Sequence, residues 1–597
     1  MRNMKLREEE ACTTFEFASH CGTILSGLNN LRSKELLFDV TLIVAGKKYN
    51  AHRVVLASCS DYFRAMFTDN MKERRQEEVV LNGISPLGVK LLIEYAYTSK
   101  IALDLGNIQS VLGAANLLQI LPVVEACCSF LQSKLDLDNC VDIATIAETY
   151  SLPGLLKHTY CYMARRLERL AFTLEFQRMT VNQLEHLLGQ DYPVECTETE
   201  VFHAALCWLQ YDISSRKCHT SRIICLIRFY DIPQSDLDDL QLSTMYTDLL
   251  KHCPSAPIQI RGSRFAGIHK KKGVPSKDLG LLNTRGLQPS IVNVGGFQAH
   301  TGMTNTLNYY QTSSEKWLRL TTIPHVEQCN FGLAVLHNEL FVIGGCVSQS
   351  LQEAVHPFGF KYNPRNDKWT SIAPMLQERC SFYLGVINEK LYAIGGIEDQ
   401  INVLNTTPCE VYDPKNDSWE EIAALPGCRR QHAGATEGHE LFVCGGLDWD
   451  EVLESLVSYD STQDSWRTLA PMLTARADHN MVAHQEKLYI AGGWYEDDHG
   501  NRELATSMDV FDLVAEQWNT LTTTPTPRYL SSLVVMDDIL HLIGGFIEGG
   551  FHTATNKMES YDIKEGTWKE TKECPFKIWE HLSCVLYIPT CREDAEL

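Results

Sequence analysis

Residues 379–425 read RCSFYLGVINEKLYAIGGIEDQINVLNTTPCEVYDPKNDSWEEIAAL, and this stretch decides the fold of the carboxyl half of the chain. Four short runs, FYLGVI, LYAIGG, CEVYD and WEEIAAL, are separated by turn residues at Asn388-Glu389, by a longer loop and by PKND. Runs of this length between turn residues read as strands. Apolar runs without helical period suit strands covered on both faces. The pattern occurs six times. Its mark is a Gly-Gly pair, at Gly295-Gly296, Gly344-Gly345, Gly395-Gly396, Gly445-Gly446, Gly492-Gly493 and Gly544-Gly545, in steps of 49, 51, 50, 47 and 52 residues. An aromatic residue and, seven positions on, a tryptophan follow each pair: Tyr310/Trp317, Tyr362/Trp369, Tyr412/Trp419, Tyr459/Trp466, Phe511/Trp518 and Tyr561/Trp568. Paired glycines let strands crowd near a ring axis and turn sharply. The tryptophan brings a large apolar area to the packing of one repeat on the next.

A period near fifty with this punctuation resembles the Kelch repeat, whose copies form the blades of a β-propeller. The first copy lacks a strand before Gly295-Gly296. The missing piece stands after the last tryptophan as LSCVLYI (582–588), aligned with FGLAVL (331–336), FYLGVI (382–387) and SSLVVM (531–536). The expectation is a six-bladed propeller over 291–588, closed by the C-terminal strand, which removes exposed sheet edges. A tail follows at 589–597.

The amino half has a different pattern. FDVTLIV (38–44) reads as a strand, GKK as a turn, YNAH (49–52) as the start of a return strand and EEVVL (77–81) as another strand. Between them lies a helix with Ser58 or Ser60 as N-cap and Tyr62, Phe63, Met66 and Phe67 on its apolar face. Ser85-Pro86 opens a further helix, and others cover 107–117 and 121–134. Thr197 and Glu200 have capping-box spacing. Val201, Phe202, Ala205, Leu206, Trp208 and Leu209 then form a stripe read as core. Residues 262–290 are rich in Gly, Lys and Pro and read as a linker, with Lys270, Lys271 and Lys272 solvated in it.

LFDVTLIVAGKKYNAHRVVLASCSDYFRAMF followed by EYAYTSKI resembles a BTB domain, and NCVDIATIAETY, VFHAALCWLQYD and Ile227-Arg228-Phe229 resemble a BACK domain. With the propeller, this is the order of the Kelch-like family. The expected fold class is multidomain: a disordered N-terminus over 1–20, an α/β BTB domain at 21–136, an all-α BACK domain at 137–261, and the all-β propeller.

Composition sets outer limits. A formal charge of −22 argues against nucleic acid as the main ligand. The sequence has no apolar run of membrane-spanning length and no apolar segment at its start of the kind a signal peptide carries. The 21 cysteines include no C-x-x-C pair, so thiols are expected and zinc is not. No catalytic constellation stands out, and neither enzymatic activity nor a cofactor is expected. Localisation is expected in the cytoplasm, with the nucleus as a second compartment.

The family resemblance implies a substrate adaptor for a cullin-3 ubiquitin ligase. The BTB domain would form a homodimer and grip the cullin, and the propeller would hold a protein target. The cullin-binding element of the family is an apolar-x-Glu motif, here Met71-Lys72-Glu73, with Tyr62 and Met66 bordering the same groove. Targets bind a bowl built by the loops after each Gly-Gly and before each innermost strand. Asp448, Asp450, Glu451, Glu496, Asp497 and Asp498 are expected on its rim, with Trp449, Trp494, Tyr495 and Phe546 as anchors. Such a bowl suits a basic or aromatic segment. Arg379, Arg429, Arg430, Arg476 and Arg528 stand at loop–strand junctions and are expected in blade-to-blade contacts. An actin- or filament-binding scaffold is the alternative reading.

Overall fold

The computed structural model describes residues 20–69, 71–229, 231–232, 236, 283, 285–349, 352–399, 404–405, 408–449, 451–547, 553–590 and 592. Residues 1–19, most of the stretch read as a linker, Asp450 and nearly all of the tail lie outside these. The chain divides into two compact units, residues 1–163 with 169–180, and residues 164–168 with 181–597.

The first unit begins with helix α1 (His20–Ser33), followed by strands β1 (Val40–Val44) and β2 (Lys47–Ala51). Lys47 and Lys48 belong to β2, so the turn is tighter than GKK and sits at Ala45 and Gly46, both at positive φ. β1 pairs antiparallel with β2 and parallel with β3 (Glu78–Leu81). Two helices, α2 (Arg53–Cys59) and α3 (Asp61–Thr68), lie between β2 and β3 where the sequence suggested one. Ser60 breaks them with extended backbone, and its Oγ accepts the Phe63 N–H at 3.1 Å. Ser58 is inside α2 and caps nothing. Helix α4 (Pro86–Thr98) follows, and Val40, Leu42, Val44, Phe63, Phe67, Val89, Leu92 and Ile93 share one core.

In the second unit Thr197 and Glu200 form both halves of the capping box of helix Glu198–Tyr211. Glu198 meets Arg285 in an ion pair, at 1 % and 3 % side-chain exposure, 2.5 Å apart. Asn283 Nδ2 donates to the same carboxylate at 2.9 Å. Burial alone would raise the Glu198 pKa, but hydrogen bonds and charge from Arg285 hold it below its ordinary value. Arg285 therefore is not a linker residue. It ties this helix to the chain just before the first propeller strand, which starts at Leu287 rather than at 291.

Six antiparallel sheets follow, each of four strands or four with a short extra one. Blade one is Leu582–Pro589, Leu287–Val294, Thr306–Gln311 and Lys316–Thr322, from innermost to outermost. The C-terminal strand thus pairs with the first propeller strand, from Leu582↔Val294 to Pro589↔Leu287. Each innermost strand neighbours the next, and the sixth neighbours the first, so the ring is closed.

The glycines show why the repeat needs them. Gly344 and Gly345 have φ of 62° and 104°. A Cβ on Gly344 would stand 2.7 Å from the Arg379 carbonyl oxygen of the next blade, and one on Gly345 would stand 2.6 Å from the Cys329 carbonyl of its own. The close approach lets Gly345 N–H donate to Arg379 O at 3.0 Å. The same bond recurs from Gly396 to Arg429, Gly446 to Arg476, Gly493 to Arg528 and, at the closure, Gly545 to Ile578. Nearer the axis a second set of backbone bonds links Ser381 N–H to Asn330 O, Gln431 to Ser381, Asp478 to Gln431, Leu530 to Asp478 and Glu580 to Leu530, at 2.9–3.3 Å. The donors and Asn330 all have φ near +50°.

The arginine side chains do something other than join blades. Nη1 of Arg379 donates to the first-glycine carbonyl of its own blade, Gly395, at 3.2 Å, and Nη2 meets Glu410 at 2.5 Å. Arg528 treats Gly544 and Glu559 alike, and Arg476 reaches Gly492 and Asp509. Arg429 has Ser455 Oγ in place of an acid. Only the arginine carbonyls reach the preceding blade. The tryptophans do join blades: Trp419, Trp466 and Trp518 donate Nε1 at 2.9 Å to Ala373, Ala423 and Ala470 of the preceding one.

Deleting 580–597 removes the innermost strand of blade one, and the whole propeller should lose its cooperative melt, followed by tryptophan fluorescence and circular dichroism. An unchanged midpoint would contradict the closure. Burial also pushes His479 (with help from Arg476) and His581 down to about 3, and His356 (with help from His325) and His541 (with help from Lys572 and Lys569) to about 4, from an ordinary 6.5. The unfolded chain then binds protons below pH 6.5 that the folded chain refuses, so stability present above that pH is lost as pH falls toward 3–4. The ceiling is about 1.4 kcal/mol per group per pH unit. Burial raises Asp478 to about 6, which returns part of the loss below that pH. Thermal midpoints should fall from pH 7.5 to pH 5, and His581→Phe should flatten the slope.

Candidate functional site

In the first unit, Met71 ends the extended segment after α3 and caps a single 3₁₀ turn, Lys72–Arg75. Its side chain is 55 % exposed, an unusual state for methionine. Tyr62 and Met66 are half-buried against the core, and Glu73 is half-buried in the turn. The four residues singled out in the sequence therefore lie on α3 and on the turn after it.

A residue that the sequence reading passed over holds this turn. Arg53, the first residue of α2, donates Nη1 to the carbonyls of Glu73 and Arg74 at 3.2 and 2.7 Å, and Nη2 to that of Gln76 at 2.5 Å. Its Nε donates to Asp39 O at 3.1 Å, and its guanidinium lies 4.9 Å from the Phe67 ring centroid. One planar fork thus reaches three carbonyls of the turn, of which only that of Glu73 also accepts a backbone N–H, from Gln76 at 3.2 Å. A basic residue twenty positions ahead of the motif carries no local signal of this.

In the second unit, the residue after each Gly-Gly pairs with the one just ahead of an innermost strand. The pairs are Phe297–Trp579, Cys346–Cys329, Ile397–Cys380, Leu447–Arg430, Trp494–Ala477 and Phe546–Tyr529. These pairs floor the bowl, and they alter the list of anchors. Phe546 is fully buried, between Tyr529 at 5.5 Å and Trp579 at 5.0 Å between ring centroids. Trp494 is buried too: Nε1 donates to Asp478 at 2.8 Å and Arg502 covers the ring at 4.2 Å. Both are floor packing rather than open anchors, because their strand pairing turns the rings onto neighbours. Phe297, Tyr529 and Trp579, which the sequence reading did not select, are half-exposed, as is Tyr495, which it did. The spacing of the pairs, seventeen residues in every blade but the one that closes the ring, is the signal that finds Tyr529.

Trp449 does stand out, 58 % exposed at φ 54°, with its carbonyl accepting from Arg430 at 3.3 Å. Tyr495 and Asp448 are half-buried, and Glu496 and Asp498 are exposed. Asp497 instead builds its own loop. It accepts from His499 N–H and Asn501 N–H at 2.8 Å and from Asn501 Nδ2 at 3.0 Å, and the Asn501 bonds keep its carboxyl below the ordinary value. Arg379, Arg476 and Arg528 are buried and paired below, whereas half-buried Arg430 and exposed Arg502 stand among these acids and offset part of their charge. Behind the floor pairs, Asn330, Ser381, Gln431, Asp478, Leu530 and Glu580 line an axial cavity of about 200 Å³.

Comparison with known proteins agrees with this order of parts. Residues 28–135 match the BTB/POZ domain, 140–241 the BTB And C-terminal Kelch (BACK) domain, and 287–493 and 384–587 the KLHDC2/KLHL20/DRC7 Kelch-repeats domain. Kelch-like protein 36 of Bos taurus is 30 % identical over 98 % of this chain and 95 % of its own length. The chain belongs to the BTB-BACK-Kelch family. Kelch-like protein 26 of Danio rerio is 34 % identical over 72 % of this chain and 71 % of its own, and the Homo sapiens protein of that name is 32 % identical over 72 % and 70 %. Family membership makes this Kelch-like chain a protein-binding adaptor in outline.

If Arg53 braces the turn of this Kelch-like protein, Arg53→Ala should cost about 0.5–1.5 kcal/mol in the unfolding of the first unit, since carbonyls at the surface lose charged donors but can turn to water. Denaturant titration checks it. Arg53→Lys should recover little, because an ammonium cannot span three carbonyls.

Proposed function

We propose that this chain is the target-recruiting subunit of a cullin-3-type ubiquitin ligase. The amino-terminal domain would pair with a second copy and hold the cullin, and the propeller bowl would hold the protein to be modified. The observation that carries the reading is the exposed Met71 on a turn braced from behind by Arg53, beside half-buried Tyr62 and Met66. An apolar side chain held out on a rigid turn costs little ordering entropy on docking. Glu73 would accept a hydrogen bond and set the register.

The bowl reading is part of the proposal. Asp448, Glu496 and Asp498 around Trp449, with the inner arginines neutralised below, favour a basic segment carrying an apolar or aromatic residue. Pairing two propellers on one dimer makes the second contact intramolecular, which raises avidity by about 10²–10⁴ where the geometry allows.

The test is binding of the full chain to an immobilised cullin-3 N-terminal domain. Met71→Ala should weaken it by about 2 kcal/mol, roughly 30-fold, and adding Glu73→Ala should weaken it further. Glu496→Lys with Asp498→Lys should leave cullin binding unchanged while reducing capture of targets. Asp497 is avoided because its replacement would unmake the loop. Equal cullin binding by the wild-type and Met71→Ala chains would overturn the reading.

A further inference from the structure

One sector of the bowl floor differs in chemistry from the other five. Cys329 and Cys346 face each other across an antiparallel bridge, with Cys329 N–H donating to Cys346 O at 3.1 Å and Cys346 N–H to Cys329 O at 3.0 Å. Their sulfurs are 3.5 Å apart. Directly opposed residues of this bonded type have Cα atoms about 5.5 Å apart, inside the window of about 4.4–6.8 Å in which a disulfide closes without moving the backbone. Side-chain rotation alone would bring the sulfurs together. The equivalent pairs elsewhere contain at most one cysteine, as in Cys380–Ile397.

Both thiols are buried, at 2 % and 0 % exposure. They are nevertheless one side chain away from water-sized space. Asn330 lines the axial cavity of about 200 Å³, and its Nδ2 lies 3.8 Å from the Cys329 sulfur and 4.0 Å from that of Cys346. Its amide hydrogens can support negative charge on either sulfur. A cavity of this size, with the sulfurs one side chain behind its wall, admits a small oxidant and hinders a bulky one.

We propose that Cys329 and Cys346 are a redox modification site that forms a reversible disulfide with hydrogen peroxide as oxidant. The Cys329 thiolate attacks one peroxide oxygen, the O–O bond breaks, and hydroxide leaves to give a sulfenic acid. The Cys346 sulfur then attacks the sulfenic sulfur, the S–O bond breaks and water leaves. Two thiols lose two electrons and two protons, and one peroxide becomes two waters. A small dithiol reverses the step by exchange. The bond would tie the residue after Gly344-Gly345 to the one ahead of its innermost strand. It would thereby pin the root of the strand Cys346–Gln349, which pairs with Gln352–Val355 on the bowl face. This goes beyond the adaptor reading and does not depend on it.

The experiment uses the full chain, reduced, exposed to peroxide, alkylated under denaturing conditions and digested. Residues 320–361 form one tryptic peptide holding both cysteines. The expected product is this peptide two hydrogens lighter and free of alkyl label, giving two linked fragments when cut after Glu339, and regaining both labels after dithiothreitol. Cys380→Ser should leave this product intact, and Cys346→Ser should abolish it. Full labelling of both cysteines after peroxide, under conditions that oxidise the exposed Cys218 and Cys225, would overturn the proposal. So would a link from either sulfur to Cys380, or irreversible oxidation of Cys329 alone. Since the wild-type peptide and its reversal by dithiothreitol decide the matter, a variant that fails to fold does not.

Discussion

The propeller depends on a backbone-to-backbone approach at the double glycine. In blades two to six the N–H of the second glycine donates to a carbonyl at the head of the next blade, and both glycines lie where a Cβ would meet main-chain atoms under 3 Å away. No side chain can relax a clash with backbone, so any other residue there would push blades apart. The arginine follows from the same place. Its carbonyl takes the bond from the preceding blade, while its guanidinium reaches back to the first-glycine carbonyl of its own blade. One residue thus satisfies groups on both sides of a joint that excludes water. At the closure Ile578 supplies the carbonyl without the guanidinium, and the backbone bond persists.

The bowl inherits its character from that joint. Arginines that would make it basic are spent below the floor on Glu410, Asp509 and Glu559. A buried charge without such a partner would be costly, so these side chains cannot also serve a ligand. Acidic residues on the outer loops, which outnumber Arg430 and Arg502 beside them, then set the sign of the surface. The amino-terminal domain uses an arginine in a comparable way. Arg53 collects the carbonyls of a short turn, and Met71 is held outward because the turn beneath it is braced.

Much of this was legible in the sequence wherever a local rule applied. The Gly-Gly period, the strand-like runs between the glycines, the LSCVLYI segment and the Thr197–Glu200 capping box all depend on neighbours within a few positions or on repetition. Local rules failed where a residue's role depends on what faces it. The helix Arg53–Cys59 is missed because Ser58 and Ser60 are equally good caps on paper for one helix after them, and only the extended backbone at Ser60 separates α2 from α3. Arg285 looked like linker because its acid, Glu198, is far away in the chain. Trp494 and Phe546 looked like anchors because large aromatics after a turn are often exposed, whereas the floor pairing turns them inward.

The sequence by itself determined the number of blades, the order of domains and the strand that closes the ring, since these follow from repeat spacing and from which run is missing where. Only the tertiary structure decided which side chains remain open to a partner. That depends on the register between strands sixteen or more residues apart and on pairs such as Asp478–Trp494 and Cys329–Cys346. Hydrophobic period specifies that a residue is on a strand. It does not specify which ring, thiol or guanidinium the neighbouring loop will place against it.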